Sequence, residues 1–263
     1  MYFKYKDISM YYEIQGNSKK KLLLLPGWGD TRKSFKYLID YLSNYFTVYS
    51  IDYPGFGNSS FPNHDLTIFD YSNLIYEFIK ENKLRDPILI GHSFGGRIIN
   101  ILTGYYHYKF SNIILMDSAG IKPKVTIKKL FKRLSYKLLK KLGRIIPKKY
   151  QTKYYNNLFK RYASRDYQEL SSNMRKTFQN VVNTDLKNYL KYIDSNVLLI
   201  WGNSDMDTPI SDAKIMNSMI KNSELIIIDK VGHFPYLERP ELIKAILFEQ
   251  LKDLIRGYND ISL

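Results

Sequence analysis

Short, strongly apolar runs alternate along this chain with longer stretches in which apolar residues recur every three or four positions. The short runs begin at Tyr2, Met10, Leu22, Thr47, Pro87, Asn112, Asn196 and Glu224. Several are apolar at nearly every position, which is typical of parallel strands buried on both faces of a sheet. The periodic stretches near Phe35 and Ile68, and a last one from Glu241, predict amphipathic helices.

Strand and helix signals alternate before residue 120 and after residue 195, but no strand run occurs between these positions. This alternation predicts an α/β fold, with a mostly parallel central sheet flanked by helices and joined by right-handed crossovers. We therefore expect residues 1–120 and 196–263 to form one core domain, interrupted by a helical insertion over residues 121–195. One apolar stripe at helical spacing lies in this insertion, with lysine and arginine opposite, and consists of Ile127, Leu130, Phe131, Leu134, Leu138 and Leu142.

Composition indicates a globular protein of the cytoplasm. The 263 residues are 44% hydrophobic, which is enough to bury a core. The first residues lack an apolar signal core, and no run approaches the roughly 18 apolar residues of a membrane-spanning helix. Because the chain has no cysteine, disulfides, thiolate metal sites and a cysteine nucleophile are excluded. Serine, histidine and carboxylate groups must therefore carry any chemistry.

The positive charge is concentrated in the insertion. The formal net charge is +15, and residues 121–165 hold 16 of the 40 Lys and Arg but none of the 25 Asp and Glu, so the remainder is near neutral. Three interpretations stay open: a solvated face that is merely basic, contact with an anionic membrane surface, and steering of an acidic substrate. Nucleic acid is not expected as a partner, because no recognised binding motif accompanies the charge.

One serine stands at a sharp junction between a strand and a helix. In the sequence ILIGHSFGGRIINI, Ser93 follows a buried strand and precedes a helical run, with Gly91 and Gly95 on either side. Such a turn strains the serine backbone, and small neighbours relieve the crowding. The turn also lifts the hydroxyl above the sheet edge, beside the free N–H groups of a helix N-terminus. Ser93 is therefore predicted to be a nucleophile.

A serine nucleophile needs a histidine base that is held by a carboxylate. Of the four histidines, we favour His233, which lies in a loop shaped by glycine and proline directly after a strand. Asp205 and Asp207 lie in a loop at the C-terminal end of another strand, where ligands and catalysts gather in open α/β sheets. The residues alone leave either aspartate as the acid.

Together these motifs resemble the α/β-hydrolase superfamily along nearly the whole chain. The matching pieces are LLLLPGWGD, DYPGFGNS, GHSFGG, WGNSD and GHFPYLERP. The resemblance implies Ser93 as the nucleophile, Asp205 as the acid and His233 as the base. Asp207 is the second choice of acid and Asp117 a distant third, since some relatives carry the acid on that earlier strand.

The resemblance also implies an oxyanion hole and a cap. The backbone N–H groups of Trp28 and Phe94 would bind the oxyanion, although many relatives have His-Gly where this chain has Pro26-Gly27. The insertion would be a cap, or lid, whose apolar stripe covers the active site. Asp52 is assigned a structural role in a tight loop. No metal ion and no organic cofactor are expected.

The sequence therefore favours a serine hydrolase that cleaves small-molecule acyl esters through an acyl-enzyme intermediate. Ester hydrolysis rests on the resemblance, because this fold carries many activities. A C–C bond hydrolase or lyase, a thioesterase and an acyltransferase with the same three residues are the enzymatic alternatives. A membrane-binding protein with a vestigial site is the non-enzymatic alternative, which the complete set of Ser93, Asp205 and His233 disfavours.

Overall fold

A computed structural model describes residues 1–122, 127–162, 167–168 and 170–259 of the chain. Eight strands form one sheet: β1 (Tyr2–Tyr5), β2 (Ile8–Gln15), β3 (Lys21–Leu25), β4 (Thr47–Ile51), β5 (Ile88–His92), β6 (Asn112–Met116), β7 (Asn196–Gly202) and β8 (Ser223–Ile228). Their order across the sheet is β1-β2-β4-β3-β5-β6-β7-β8. The pairs β1–β2 and β2–β4 are antiparallel, and all pairs from β4 to β8 are parallel. The predicted α/β fold with a mostly parallel sheet is confirmed.

Helices cover both faces of the sheet. They are α1 (Lys36–Leu42), α2 (Ile68–Glu81), α3 (Phe94–Asn100), α7 (Ile210–Met219), α8 (Pro235–Glu238) and α9 (Pro240–Asn259). Alternate side chains of β3 enter opposite clusters: Leu23 and Leu25 pack with residues of α2 and α3, while Leu22 and Leu24 pack with residues of α1 and α9. Because both faces are buried, the central strands are apolar at nearly every position.

Among the residues that the structure describes, three more α-helices lie between β6 and β7, namely α4 (Ile127–Leu142), α5 (Lys148–Tyr162) and α6 (Met174–Asn183). They fall in the segment predicted as the insertion, of which residues 123–126, 163–166 and 169 lie outside the described residues. Since β6 and β7 are neighbours and parallel, the insertion leaves the sheet at the C-terminal ends of the strands, beside β5. No helix in the described ranges is both long enough and apolar enough to cross a membrane.

Candidate active site

The turn between β5 and α3 holds Ser93 in a strained backbone conformation. Its φ of 46° and ψ of −104° lie outside the regions that a residue with a side chain usually adopts. Glycines make the turn possible, because a Cβ on Gly91 would lie 2.8 Å from the backbone of Gly95 and Gly96. A Cβ on Gly95 would lie 2.0 Å from the carbonyl oxygen of Leu25. This is the sharp strand-to-helix turn that the sequence predicts around Ser93.

Asp205 and His233 form a hydrogen-bonded pair. His233 Nδ1 lies 2.7 Å from Asp205 Oδ2, and the Asp205 side chain is fully buried, whereas 13% of the His233 side chain is exposed. Asp205 Oδ1 accepts from the backbone N–H groups of Asp207 and Thr208, at 2.7 and 3.1 Å. Thr208 Oγ1 donates to Oδ2 at 2.6 Å. Four donors therefore fix the carboxylate of Asp205 in one orientation.

These hydrogen bonds keep Asp205 ionised. Burial alone would raise the pKa of Asp205, but the hydrogen bonds from His233 and Thr208 outweigh it and lower the pKa to about 2. An ionised carboxylate only accepts, so His233 donates Nδ1–H and leaves Nε2 as the nitrogen available to a nucleophile. Asp207 is exposed and approaches the pair through its backbone N–H. Asp205 is thus the aspartate whose side chain contacts His233.

His92 holds the loop that carries His233. The imidazole of His92 is buried, and its Nε2 lies 2.7 Å from the carbonyl oxygen of His233. A carbonyl oxygen only accepts, so His92 Nε2 carries the proton, and Nδ1 lies 3.3 Å from the Tyr236 hydroxyl oxygen. Burial lowers the pKa of His92 to about 3, so this imidazole is neutral. The roles of His92 and Thr208 could not be predicted from the sequence, because neither contact leaves a periodic signal.

Asp117, the third candidate acid, lies buried beside this pair. Its Oδ1 accepts from the Gly202 N–H at 3.0 Å, and its Oδ2 has no hydrogen-bond partner within the described part of the chain. Burial raises the pKa of Asp117 to about 9, and the neighbouring Asp205 adds to the effect, so Asp117 is protonated at neutral pH. Ligand atoms of Asp117, Asp205 and His233 lie within 4.8 Å of one another. A metal ion would have to displace the proton on Asp117 and the proton on His233 Nδ1. These three side chains are therefore better suited to holding protons than to binding a metal ion.

A cavity of about 300 Å³ brings the other predicted residues together. Ser93, Phe94, Trp28 and His233 are among the residues that line it. An apolar part of the wall comes from α6, with Phe178, Val181 and Val182. A second cavity of about 510 Å³ shares Trp28, Asp30 and Phe234 with the first. Ser93 lines only the first of the two cavities, and the shared residues make the second its neighbour.

Two backbone N–H groups stand beside Ser93. Phe94 is the first residue of α3, so its N–H has no partner inside the helix. A Cβ on Gly27, the residue before Trp28, would lie 3.7 Å from Ser93 Cβ, so this loop passes close to the serine. Among the described residues, neither the Trp28 N–H nor the Phe94 N–H donates a hydrogen bond. Unpaired donors close to a nucleophile are what the stabilisation of an oxyanion requires.

The apolar stripe of the insertion lies away from this cavity. Of its members, Leu130, Phe131, Leu134, Leu138 and Leu142 are 45–66% exposed, and none of them lines the cavity. The Ile127 side chain lies outside the described residues. The expectation that the stripe of α4 covers the site is therefore not met by its described members, and residues of α6 line the cavity instead. Helical periodicity identifies an apolar face but does not say what the face packs against.

Comparisons with known proteins agree with the fold. A family model of the alpha/beta hydrolase fold matches residues 20–240. A pimeloyl-(acyl-carrier protein) methyl ester esterase from Wigglesworthia glossinidia brevipalpis is 29% identical over 276 residues, covering 95% of this chain and 98% of that relative. Monoacylglycerol lipase ABHD6 of Mus musculus is 22% identical, over 95% of this chain and 81% of its own. The structure of an esterase from Exiguobacterium antarcticum matches with a TM-score of 0.75 at 23% identity, covering 95% of this chain and 98% of the other.

Proposed function

The chain belongs to the alpha/beta hydrolase family, and we propose that it is a serine esterase that cleaves small-molecule carboxylic esters through an acyl-enzyme intermediate. The observation that carries the proposal is the hydrogen-bonded pair of Asp205 and His233 at the cavity that holds Ser93. Relatives named as an esterase and a lipase match nearly the whole chain and support an ester as the bond cleaved.

In the first half of the proposed reaction, Ser93 Oγ attacks the ester carbonyl carbon while His233 Nε2 takes the hydroxyl proton. Asp205 holds the Nδ1–H of His233 and stabilises the imidazolium cation. The oxyanion accepts hydrogen bonds from the N–H groups of Trp28 and Phe94. The imidazolium then gives its proton to the leaving alkoxide, so an alcohol departs and the acyl group stays on Ser93.

In the second half, water attacks the acyl group with the help of the same residues. His233 Nε2 takes a proton from the water as its oxygen bonds to the acyl carbon, and the same two N–H groups bind the second oxyanion. When the oxyanion collapses, the Ser93 oxygen leaves and recovers a proton from His233. The carboxylic acid is released, and neither half needs a metal ion or an organic cofactor.

We propose that residues 121–195 act as the cap, with α6 as the part that lies over Ser93. The apolar wall from α6 favours a hydrocarbon chain on the substrate. Arg97 of α3 joins α6 to the core, because its Nη2 donates to the carbonyl oxygen of Val181 at 2.7 Å and also to that of Thr184. The basic part of the cap would meet an anionic surface, and it is shared between α4 and α5.

A fluorophosphonate probe tests the nucleophile. The wild-type protein should be labelled, and Ser93→Ala should abolish labelling and lower ester turnover by about a thousandfold or more. Ser218→Ala, the same change at an exposed serine of α7, is the matched control and should leave both unchanged. Normal labelling of the Ser93→Ala protein would refute the assignment, and an unlabelled wild type would indicate a vestigial site.

The choice of bond is tested separately, with matched oxygen esters, thioesters and 1,5-diketones whose acyl parts increase in length. Oxygen esters should give the highest kcat/KM. A clear preference for thioesters or for carbon–carbon cleavage would move the protein to one of those classes while leaving Ser93, Asp205 and His233 in the same roles.

A further inference from the structure

The apolar side chains of α4 form a continuous exposed face. Leu130, Leu134, Leu138 and Leu142 recur every four residues, and with Phe131 they occupy roughly 120° of the helix circumference at 100° per residue. Their exposed fractions range from 45% to 66%, and Ile145, just beyond the helix, is 81% exposed. Large apolar residues are scattered on most protein surfaces, but a contiguous row of this kind marks an interaction site.

The opposite side of α4 is already occupied by α5. Tyr154 donates its hydroxyl proton to the carbonyl oxygen of Leu139 at 2.8 Å, and the Tyr162 hydroxyl donates to Ser135 Oγ at 3.2 Å. The rings of Tyr136 and Tyr162 are 5.4 Å apart. These contacts fix the rotation of α4 about its own axis, so the apolar face points away from the protein.

Lysines flank the exposed face. Lys137, Lys140 and Lys141 are exposed, and within the described residues none of them forms an ion pair. They belong to the segment 121–165, which carries 16 basic residues and no acidic one. Lys141 lies within the arc of the apolar residues, where its ammonium group can extend to lipid headgroups while its methylene chain follows the apolar surface. Lys137 and Lys141 therefore face the same partner as the apolar row, whereas Lys140 lies roughly 80° beyond its edge at 100° per residue.

We infer that α4 docks the protein on an anionic lipid bilayer, lying in the plane of the headgroups with its apolar face against the acyl chains. An amphipathic helix with a basic flank binds such surfaces through buried apolar area and attraction to anionic lipids together. An acidic soluble protein could pair with the lysines, but it would also need an apolar groove long enough to cover the row from Leu130 to Ile145. The inference rests on the surface of α4 alone and is independent of the proposed esterase activity.

Sedimentation with lipid vesicles tests this inference on the full chain. Vesicles of phosphatidylcholine with added phosphatidylglycerol should bind the protein at low salt, and pure phosphatidylcholine vesicles or high salt should remove most of the binding. Changing Lys137, Lys140 and Lys141 together to Gln should weaken binding by about a hundredfold. The matched control changes Lys4, Lys214 and Lys221, which are exposed and lie outside the insertion, to Gln and should bind like the wild type within about twofold.

A second measurement tests insertion of the apolar face. Leu134→Ser with Leu138→Ser removes apolar area at two exposed positions and should weaken binding at least tenfold without loss of thermal stability. In a Phe131→Trp variant, tryptophan emission should shift to the blue on binding and should be quenched by lipids brominated in their acyl chains. Quenching only by headgroup-labelled lipids would contradict insertion.

Three results would overturn the inference. They are no binding to anionic vesicles at low salt, an equal loss of binding in the control lysine variant, and retention of the protein by an acidic carrier protein but not by vesicles. The Ser93→Ala protein should bind vesicles like the wild type, so a failure of membrane docking and a failure of the esterase proposal are told apart.

Discussion

Replacing Asp205 with Asn tests the proposed catalytic pair most directly. Asp205 Oδ1 accepts from two backbone N–H groups, at 2.7 and 3.1 Å, whereas Oδ2 faces His233 Nδ1 and Thr208 Oγ1. The introduced amide must keep its oxygen toward the two N–H groups, so its NH₂ group takes the place of Oδ2. His233 Nδ1 then has to accept a hydrogen bond, and the proton moves to Nε2. An imidazole in that tautomer cannot take a proton from Ser93.

The size of the effect follows from these contacts. Turning the amide over to restore the active tautomer would leave two backbone N–H groups facing an NH₂ group, at about 1–3 kcal/mol each. The variant also lacks the negative charge that stabilises the imidazolium. Together we expect about a thousandfold to ten-thousandfold loss of kcat, or about 4–5.5 kcal/mol in the activation free energy.

The assay is hydrolysis of a short p-nitrophenyl ester, with circular dichroism and thermal unfolding as checks of the fold. Asp207→Asn is the matched control, because the Asp207 carboxylate is exposed and the backbone N–H that contacts Asp205 is retained. This control should change kcat by less than about threefold. The reasoning is refuted if Asp205→Asn keeps more than a tenth of the wild-type kcat, or if Asp207→Asn is the more damaging change.

Three other contacts give predictions of their own. The pKa of Asp117 is raised from 3.8 to about 9, so its contribution to stability is complete below pH 3.8 and is lost as the pH rises to about 9. The Tm of the wild type relative to Asp117→Asn should therefore fall between about pH 5 and pH 9, and a constant difference would exclude this cause. Arg97→Met removes both hydrogen bonds to the end of α6, so it should raise KM and speed tryptic cleavage within α6, and Arg97→Lys should behave more like the wild type. Equal digestion of all three proteins would show that Arg97 does not hold α6 to the core. Gly95→Ala places a Cβ 2.0 Å from Leu25 O and should lower the free energy of unfolding by about 2 kcal/mol or more, as measured by denaturant titration. In Gly232→Ala the new Cβ meets only the Glu238 side chain, at 3.1 Å, so this control should lower the free energy of unfolding clearly less.

Much of the fold could be predicted because its physical signals are local. Strands buried on both faces must be apolar at nearly every position. A continuous apolar run or an alternation of apolar and polar residues predicts each of the eight strands. The turn at Ser93 is equally readable, since only glycine fits where the structure allows no Cβ. The structural role expected of Asp52 is also confirmed, because its carboxylate accepts from the backbone N–H groups of Arg32 and Asn58.

The parts that could not be predicted depend on contacts between distant segments. The stripe on α4 has the spacing of a covering helix, but its direction is set by tyrosines of α5 that hold the other side. The helix that does line the cavity, α6, has no sequence feature that separates it from any amphipathic helix. His92 reaches across 141 positions to the carbonyl oxygen of His233, and no pattern along the chain encodes such a bond.

The placement of the two tryptophans has a spectroscopic consequence. Trp201 is fully buried, donates to the Thr208 carbonyl oxygen at 2.7 Å and lines neither cavity. Trp28 lines both cavities and contacts Phe178 of α6, with ring centres 5.3 Å apart. In a Trp201→Phe protein, Trp28 would be the sole tryptophan emitter, and its fluorescence would report both the arrival of a ligand at Ser93 and any movement of α6. The fluorescence of Trp28 can therefore be used to measure the rates at which the binding site opens and binds a ligand.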